Sequence, residues 1–222
     1  MNKIGIYFAY WEREWKADYC NYIRKVKKLG FDCLEVEAGS MLAMSREEQE
    51  RIRNTAQEEG IELTFCIGLP PAYDVAGESA ETRKAGIAYL KQLFCMIHSM
   101  GGNMLGGIIY SCWPFAGASV EYKLAATKRS ILSMREAAKA AEEYQITCCL
   151  EVVNRFEQCI LNTAREGVDF IREVDSRQVK LLLDTFHMNI EEDSPADAIR
   201  LAGDNLGHFH ICLLYTSPSP RD

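Results

Sequence analysis

What most constrains this chain is a rhythm. Short runs rich in branched and aromatic residues alternate with longer runs whose apolar residues recur at helical spacing. The strand-like runs are Ile4 to Phe8, Asp32 to Val36, Ile61 to Ile67, Met104 to Tyr110, Ile146 to Glu151, Val179 to Asp184 and Leu206 to His210. Between them the spacing predicts helices over Asp18 to Leu29, Ser45 to Glu59, Ser79 to Met100, Val120 to Tyr144 and Thr163 to Val174, and after a loop over Pro195 to Ala202. Several helix ends are marked: Gly30 and Gly60 stand where a helix should stop, and Ser45-Arg46-Glu47-Glu48 reads as a capping box. Alternation of this kind requires parallel strands joined by right-handed crossovers.

An open doubly wound sheet and a closed barrel both satisfy that requirement. The residues at the strand ends favour the barrel. Cys148-Cys149-Leu150 leads into Glu151, Leu181-Leu182-Leu183 leads into Asp184, and the last run ends in His208-Phe209-His210. A parallel barrel brings the carboxyl ends of its strands to one rim, where each can deliver a functional group. The fold expected is therefore α/β, a (β/α)8 TIM-type barrel. Such a barrel closes with eight strands, and only seven can be drawn here. The sequence after His210 runs into Ser217-Pro218-Ser219-Pro220, which cannot extend a helix. We therefore expect residues 1–210 to be a barrel lacking its eighth strand–helix unit, truncated and joined to unrelated sequence, with 211–222 a non-native or disordered tail.

Composition narrows the partners. Hydrophobic residues make up 48% and charged residues 26%, as in ordinary globular proteins. A net charge of −7 without any basic cluster argues against a nucleic-acid partner. The nine cysteines are odd in number, form no CxxC pair and sit mostly in apolar runs. With Met1-Asn2-Lys3-Ile4 at the start, they read as reduced thiols of a cytoplasmic protein. No apolar run reaches the roughly 18 residues of a membrane span.

Glu151, Asp184 and His210 together offer hard oxygens and one imidazole, a donor set suited to Mn²⁺, Mg²⁺ or Co²⁺. A single strand-end carboxylate could merely cap the next helix. Equivalent positions on three strands point to a metal instead. Glu157, six residues beyond Glu151, reads either as a solvated loop residue paired with Arg155 or as a substrate contact at the rim. His187, three beyond Asp184, reads as a core histidine, a substrate contact or a group supporting the ligands. We expect strand alternation to turn His208 to the face opposite His210, so that only His210 is taken as a ligand. His98, in mid-helix, reads as structural. Tyr7 stands at the end of the first strand and Trp113 just beyond the fourth, where aromatic rings can wall a sugar pocket.

The segments Gly5-Ile6-Tyr7-Phe8-Ala9-Tyr10-Trp11, Cys149 to Glu157, Leu183 to Asp193 and Gly207-His208-Phe209-His210 resemble the ketose 3-epimerases, which include the D-psicose and D-tagatose 3-epimerases, within the xylose-isomerase-like barrels. The resemblance implies a Mn²⁺ or Co²⁺ ion on Glu151, Asp184 and His210, a ketose held by Glu157, His187, Tyr7 and Trp113, and proton transfer at C3 by Glu151. It also implies a homodimer or homotetramer, a second acid/base glutamate on strand eight, and little turnover from a chain without it. Another sugar isomerase or a sugar-phosphate epimerase of the same barrel group is the nearest alternative, although no basic or glycine-rich anion site is evident. A multi-zinc DNA-repair endonuclease would need more than the four histidines present. The remaining alternative is an inactive fragment.

Overall fold

The computed structural model describes residues 2–12, 17–115 and 118–212. Among them are seven strands: β1 (Gly5–Tyr7), β2 (Cys33–Glu37), β3 (Glu62–Cys66), β4 (Met104–Gly107), β5 (Thr147–Val152), β6 (Val179–Asp184) and β7 (Leu206–His210). They form one sheet in chain order, every neighbouring pair parallel. Helices α1 (Tyr19–Leu29), α2 (Ala38–Leu42), α3 (Arg46–Glu59), α4 (Ala80–Ser99), α5 (Val120–Glu143), α6 (Ala164–Val174), α7 (Thr185–Glu191) and α8 (Pro195–Ala202) fill the connections. The fold is that of an incomplete TIM barrel, and residues 213–222 of the expected tail lie outside the described residues.

The sheet is curled. In a flat sheet the five steps from β2 to β7, at about 4.8 Å each, would hold those strands roughly 24 Å apart. Instead, Nε2 of His208 in β7 lies 2.9 Å from Oε2 of Glu35 in β2. Only a sheet bent towards closure allows that contact. Inside the curl, Met104, Cys149 and Leu182 form a small apolar cluster of their own. Cys149 and Leu182 precede Glu151 and Asp184 by two residues on the same strands, so they form the apolar layer beneath those carboxylates. Gly106 makes room for it, since a Cβ there would stand 2.9 Å from Cδ1 of Leu182.

The main core lies outside the curl, between sheet and helices. Phe65, Leu105 and Leu150 on strands and Ile23, Leu90 and Phe94 on helices are fully buried. Local chemistry sets the helix boundaries. Ser45 accepts the Glu48 N–H and Glu48 accepts the Ser45 N–H, so the capping box of α3 is complete. Gly30 and Gly60 end α1 and α3 in the left-handed conformation, with φ of 84° and 65°.

Four expectations change. β4 stops at Gly107 rather than Tyr110, because Gly107 turns to φ +107° and leaves the extended region. The span after Asp184 holds α7, whose first turn is capped by Asp184 accepting the Phe186 N–H at 2.7 Å. Likewise Glu37 ends β2 and caps α2, accepting the Gly39 N–H at 2.8 Å. Finally, His208 and His210 do not face opposite ways. Residues two apart on a strand share a face, and both imidazoles reach Glu35.

Core burial and capping should differ in energetic weight. Ser45→Ala is expected to cost about 1 kcal/mol, and Phe65→Ala, which empties a fully buried position beside Gly102, about 3–5 kcal/mol. Urea unfolding of both variants measures this, and equal losses would contradict the placement of Phe65 in the main core.

Candidate active site

The carboxyl ends of β5, β6 and β7 bring three of the expected residues together. Nδ1 of His210 lies 3.8 Å from Oε1 of Glu151 and 3.6 Å from Oδ2 of Asp184. Bonds of about 2.0–2.2 Å to a shared ion place donor atoms roughly 3–4 Å apart, and the two separations from His210 fall in that range. The other nitrogen of His210 faces away, with Nε2 2.9 Å from Oε1 of Glu35.

The electrostatics point the same way. Burial works against charging His210, but the carboxylates of Asp184, Glu151 and Glu35 overcome it and hold its pKa well above the usual imidazole range. Glu35, only 5% exposed, is also resisted by burial, yet His208 and His210 bring its pKa well below the usual carboxylate range. Burial opposes the ionised Asp184 too, and contacts with His210, Cys212 and the Phe186 N–H lower it nevertheless. Anionic groups this closely placed and shielded from water demand positive charge at their centre. The donor set of oxygens with one imidazole fits a hard divalent ion.

Glu151, Asp184 and His187 form a second possible group, as do Glu35, His208 and His210. Hydrogen bonding decides against His187 as a ligand. Its Nδ1 accepts the backbone N–H of Asn154 at 3.2 Å. A backbone N–H can only donate, so Nδ1 carries no proton and the neutral ring carries it on Nε2. That nitrogen lies 3.6 Å from Oε1 of Glu151. His187 therefore presents a donor to the site rather than a lone pair. In the Glu35 group, both Nε2 atoms sit at direct contact length from the carboxylate, 2.9 Å in each case.

The loop after β5 supplies the polar wall. Glu157 is held at both oxygens, accepting Nε1–H of Trp113 at 2.9 Å and Nδ2–H of Asn154 at 3.0 Å. Asn154 thus touches both His187 and Glu157. Trp113 is part-buried beside them, so its ring and the Glu157 carboxylate act as one surface. The loop is fastened to α7: Glu191 accepts the Arg155 backbone N–H at 2.7 Å and Nε–H at 2.9 Å. Tyr7 ends β1 half-buried against the core, and burial together with Cys66 and the nearby Glu35 and Glu37 raises its pKa.

All seven expected site residues thus lie at or next to this rim, while Glu35, Asn154 and Glu191 were not anticipated. Glu35 had a signal. A carboxylate inside Cys33-Leu34-Glu35-Val36 is hard to bury without a partner. Asn154 and Glu191 act through the loop path, which has no local pattern.

The profile of the xylose isomerase-like TIM barrel family matches residues 23–221. The D-psicose 3-epimerase of Ruminiclostridium cellulolyticum is 45% identical over 208 residues, covering 94% of this chain and 71% of that protein. The corresponding enzyme of Agrobacterium fabrum is 43% identical, with 94% and 72% covered. The crystal structure of D-psicose 3-epimerase with D-tagatose from Clostridium cellulolyticum H10 superposes with a TM-score of 0.92 at 44% identity, over 95% of this chain and 73% of that one.

The Arg155 guanidinium holds the carboxyl of Glu191 below the usual carboxylate range, against the opposing effect of burial. The pair should therefore stabilise fully above the ordinary glutamate pKa of about 4.3, and fade as pH falls through the depressed folded value. Urea midpoints of the unaltered chain and Glu191→Gln should differ by a constant amount near neutrality and converge towards about pH 3. A difference that persists unchanged into acid would show that the ion pair is not its source.

Proposed function

The chain belongs to the ketose 3-epimerases of the xylose isomerase-like TIM barrel family, and we propose that its site inverts free ketohexoses at C3, interconverting D-fructose and D-psicose. The observation that carries this reading is that Nδ1 of His210 stands within 3.8 Å of carboxylate oxygens of both Glu151 and Asp184 at the mouth of three adjacent parallel strands. Relatives named D-psicose 3-epimerase support the substrate class. Glu151, Asp184 and His210 would hold Mn²⁺ or Co²⁺, with Mg²⁺ a further candidate. Bound there, such an ion would polarise the ketose carbonyl and acidify the neighbouring C3–H.

Each side chain then has a task. Asp184 caps α7 through one oxygen and faces His210 with the other, so it acts as a ligand. Glu151 is the carboxylate of the trio left to move a proton, and it takes the one on C3. The electron pair from the broken C–H bond spreads to the C2 oxygen as an enediolate, and the Nε2–H of His187 is oriented to donate to a substrate oxygen there. Glu157, fixed by Trp113 and Asn154, accepts from sugar hydroxyls. Tyr7 and Trp113 wall the ring or chain and keep water from the carbanion.

Inversion requires a proton delivered to the opposite face. Among the described residues, Glu35 is committed to His208 and His210, and no other carboxylate of the cluster is placed to serve. The 222-residue chain is therefore expected to exchange the C3 proton of D-fructose with D₂O in the presence of Mn²⁺ faster than it forms D-psicose. Glu151→Gln should slow the exchange at least about 100-fold. Proton NMR of the recovered sugar reads both quantities. A chain that binds Mn²⁺ yet neither exchanges nor epimerises any ketose would refute the proposal, and net epimerisation as fast as exchange would refute the single-carrier account.

A further inference from the structure

We propose that Glu35 is a positioning residue for the ion site: by engaging Nε2 of His210 it presents Nδ1 of that ring to Glu151 and Asp184. The inference rests on the metal-site reading above and goes beyond it to a residue on a strand far from the ligands in sequence.

An imidazole can give only one nitrogen to an ion. The other then carries a proton, and in a buried setting that N–H needs an acceptor. Which nitrogen ligates is set by where the acceptor lies. In this structure Nδ1 of His210 faces Glu151 and Asp184, while Nε2 lies 2.9 Å from Oε1 of Glu35. Among the described residues Glu35 Oε1 and His210 Nε2 are buried polar atoms without a well-formed hydrogen bond, and they stand 2.9 Å apart as an ion-pair contact. Each is the other's facing group, and a small rotation of the ring would complete the bond.

Glu35 is itself fixed. Its second oxygen is 2.9 Å from Nε2 of His208 and accepts the Thr64 hydroxyl at 3.2 Å. Thr64 is the register partner of Glu35 across the β2–β3 pairing, so hydroxyl and carboxylate rise from the same level of the sheet. With Oε2 held on two sides, rotation of the carboxylate is blocked and Oε1 stays towards His210. The apolar neighbours Leu34 and Val36 are fully buried on the other face of β2. They give no reason for a carboxylate at this position.

A competing role is purely mechanical: Glu35 would strap β2 to β7 through His208, and His210 would find its orientation unaided. Binding of Mn²⁺ to the 222-residue chain, followed by the electron paramagnetic resonance of free Mn²⁺, separates the two. Glu35→Gln keeps the shape of the side chain and removes its charge, and is expected to weaken binding about 10–100-fold. His208→Gln, which cuts the strap alone, is expected to weaken it far less. Circular dichroism melting without metal checks that each variant is folded.

Equal binding by Glu35→Gln and the unaltered chain would overturn the inference while leaving the ion site intact. Equal weakening by the two variants would overturn it in favour of the strap. Absence of Mn²⁺ binding by the unaltered chain would overturn the ion site and this inference together. If Glu35→Gln does not fold, nitrogen NMR of the unaltered chain with Mg²⁺ bound decides. A proton on His210 Nε2 and none on Nδ1 is expected, and the reverse tautomer would overturn the inference.

Discussion

Mutual repulsion and desolvation of buried carboxylates govern how this structure is put together. Buried Glu35 and Asp184 and half-buried Glu151 converge on His210 from β2, β6 and β5. Each ion removed from water costs several kcal/mol unless compensated. Compensation comes from β7, which carries two imidazoles on one face. It can reach β2 only because the sheet curls. The curvature that makes the fold and the charge balance that makes the site are therefore one requirement, met by the same contacts. Beneath the charges the apolar layer of Met104, Cys149 and Leu182 keeps water out from below, which strengthens every interaction above it.

Around this centre, orientation is delegated to groups that never need to meet a substrate. The backbone N–H of Asn154 assigns the tautomer of His187, and the Asn154 side chain steadies Glu157. Glu191, at the far end of α7, pins Arg155 and with it the loop between them. Loops at the mouth of a barrel are free to vary, and precision there has to come from such cross-links. Here one short loop, tied at Asn154, Arg155 and Glu157, turns separate side chains into a single wall.

Much of this could be read from the amino acids. The alternation located every strand, the capping box and glycines located the helix ends, and Glu151, Asp184 and His210 stood out because they follow apolar strands. Local patterns report on local structure, and these features are local. Glu35 was missed because it lies within a strand rather than at its end, and because its partners are 173 and 175 positions away, the distances from residue 35 to residues 208 and 210. That pairing follows from curvature, a property of the whole sheet. His208 shares the face of His210, against the expectation above, since a strand repeats its face every second residue. Helix α7 is hidden in the sequence because its cap, Asp184, is also the last residue of β6.

Asp184 has a last implication. One of its oxygens accepts the first free N–H of α7 and the other faces the ion site. Two equilibria, winding of a helix and occupancy of the site, therefore share a single carboxylate and are thermodynamically linked. Whatever moves Asp184 acts on the helix that carries His187 and ends at Glu191. An ion at the site would therefore bear on the substrate wall, and a sugar on that wall would bear on the ion by the same coupling free energy.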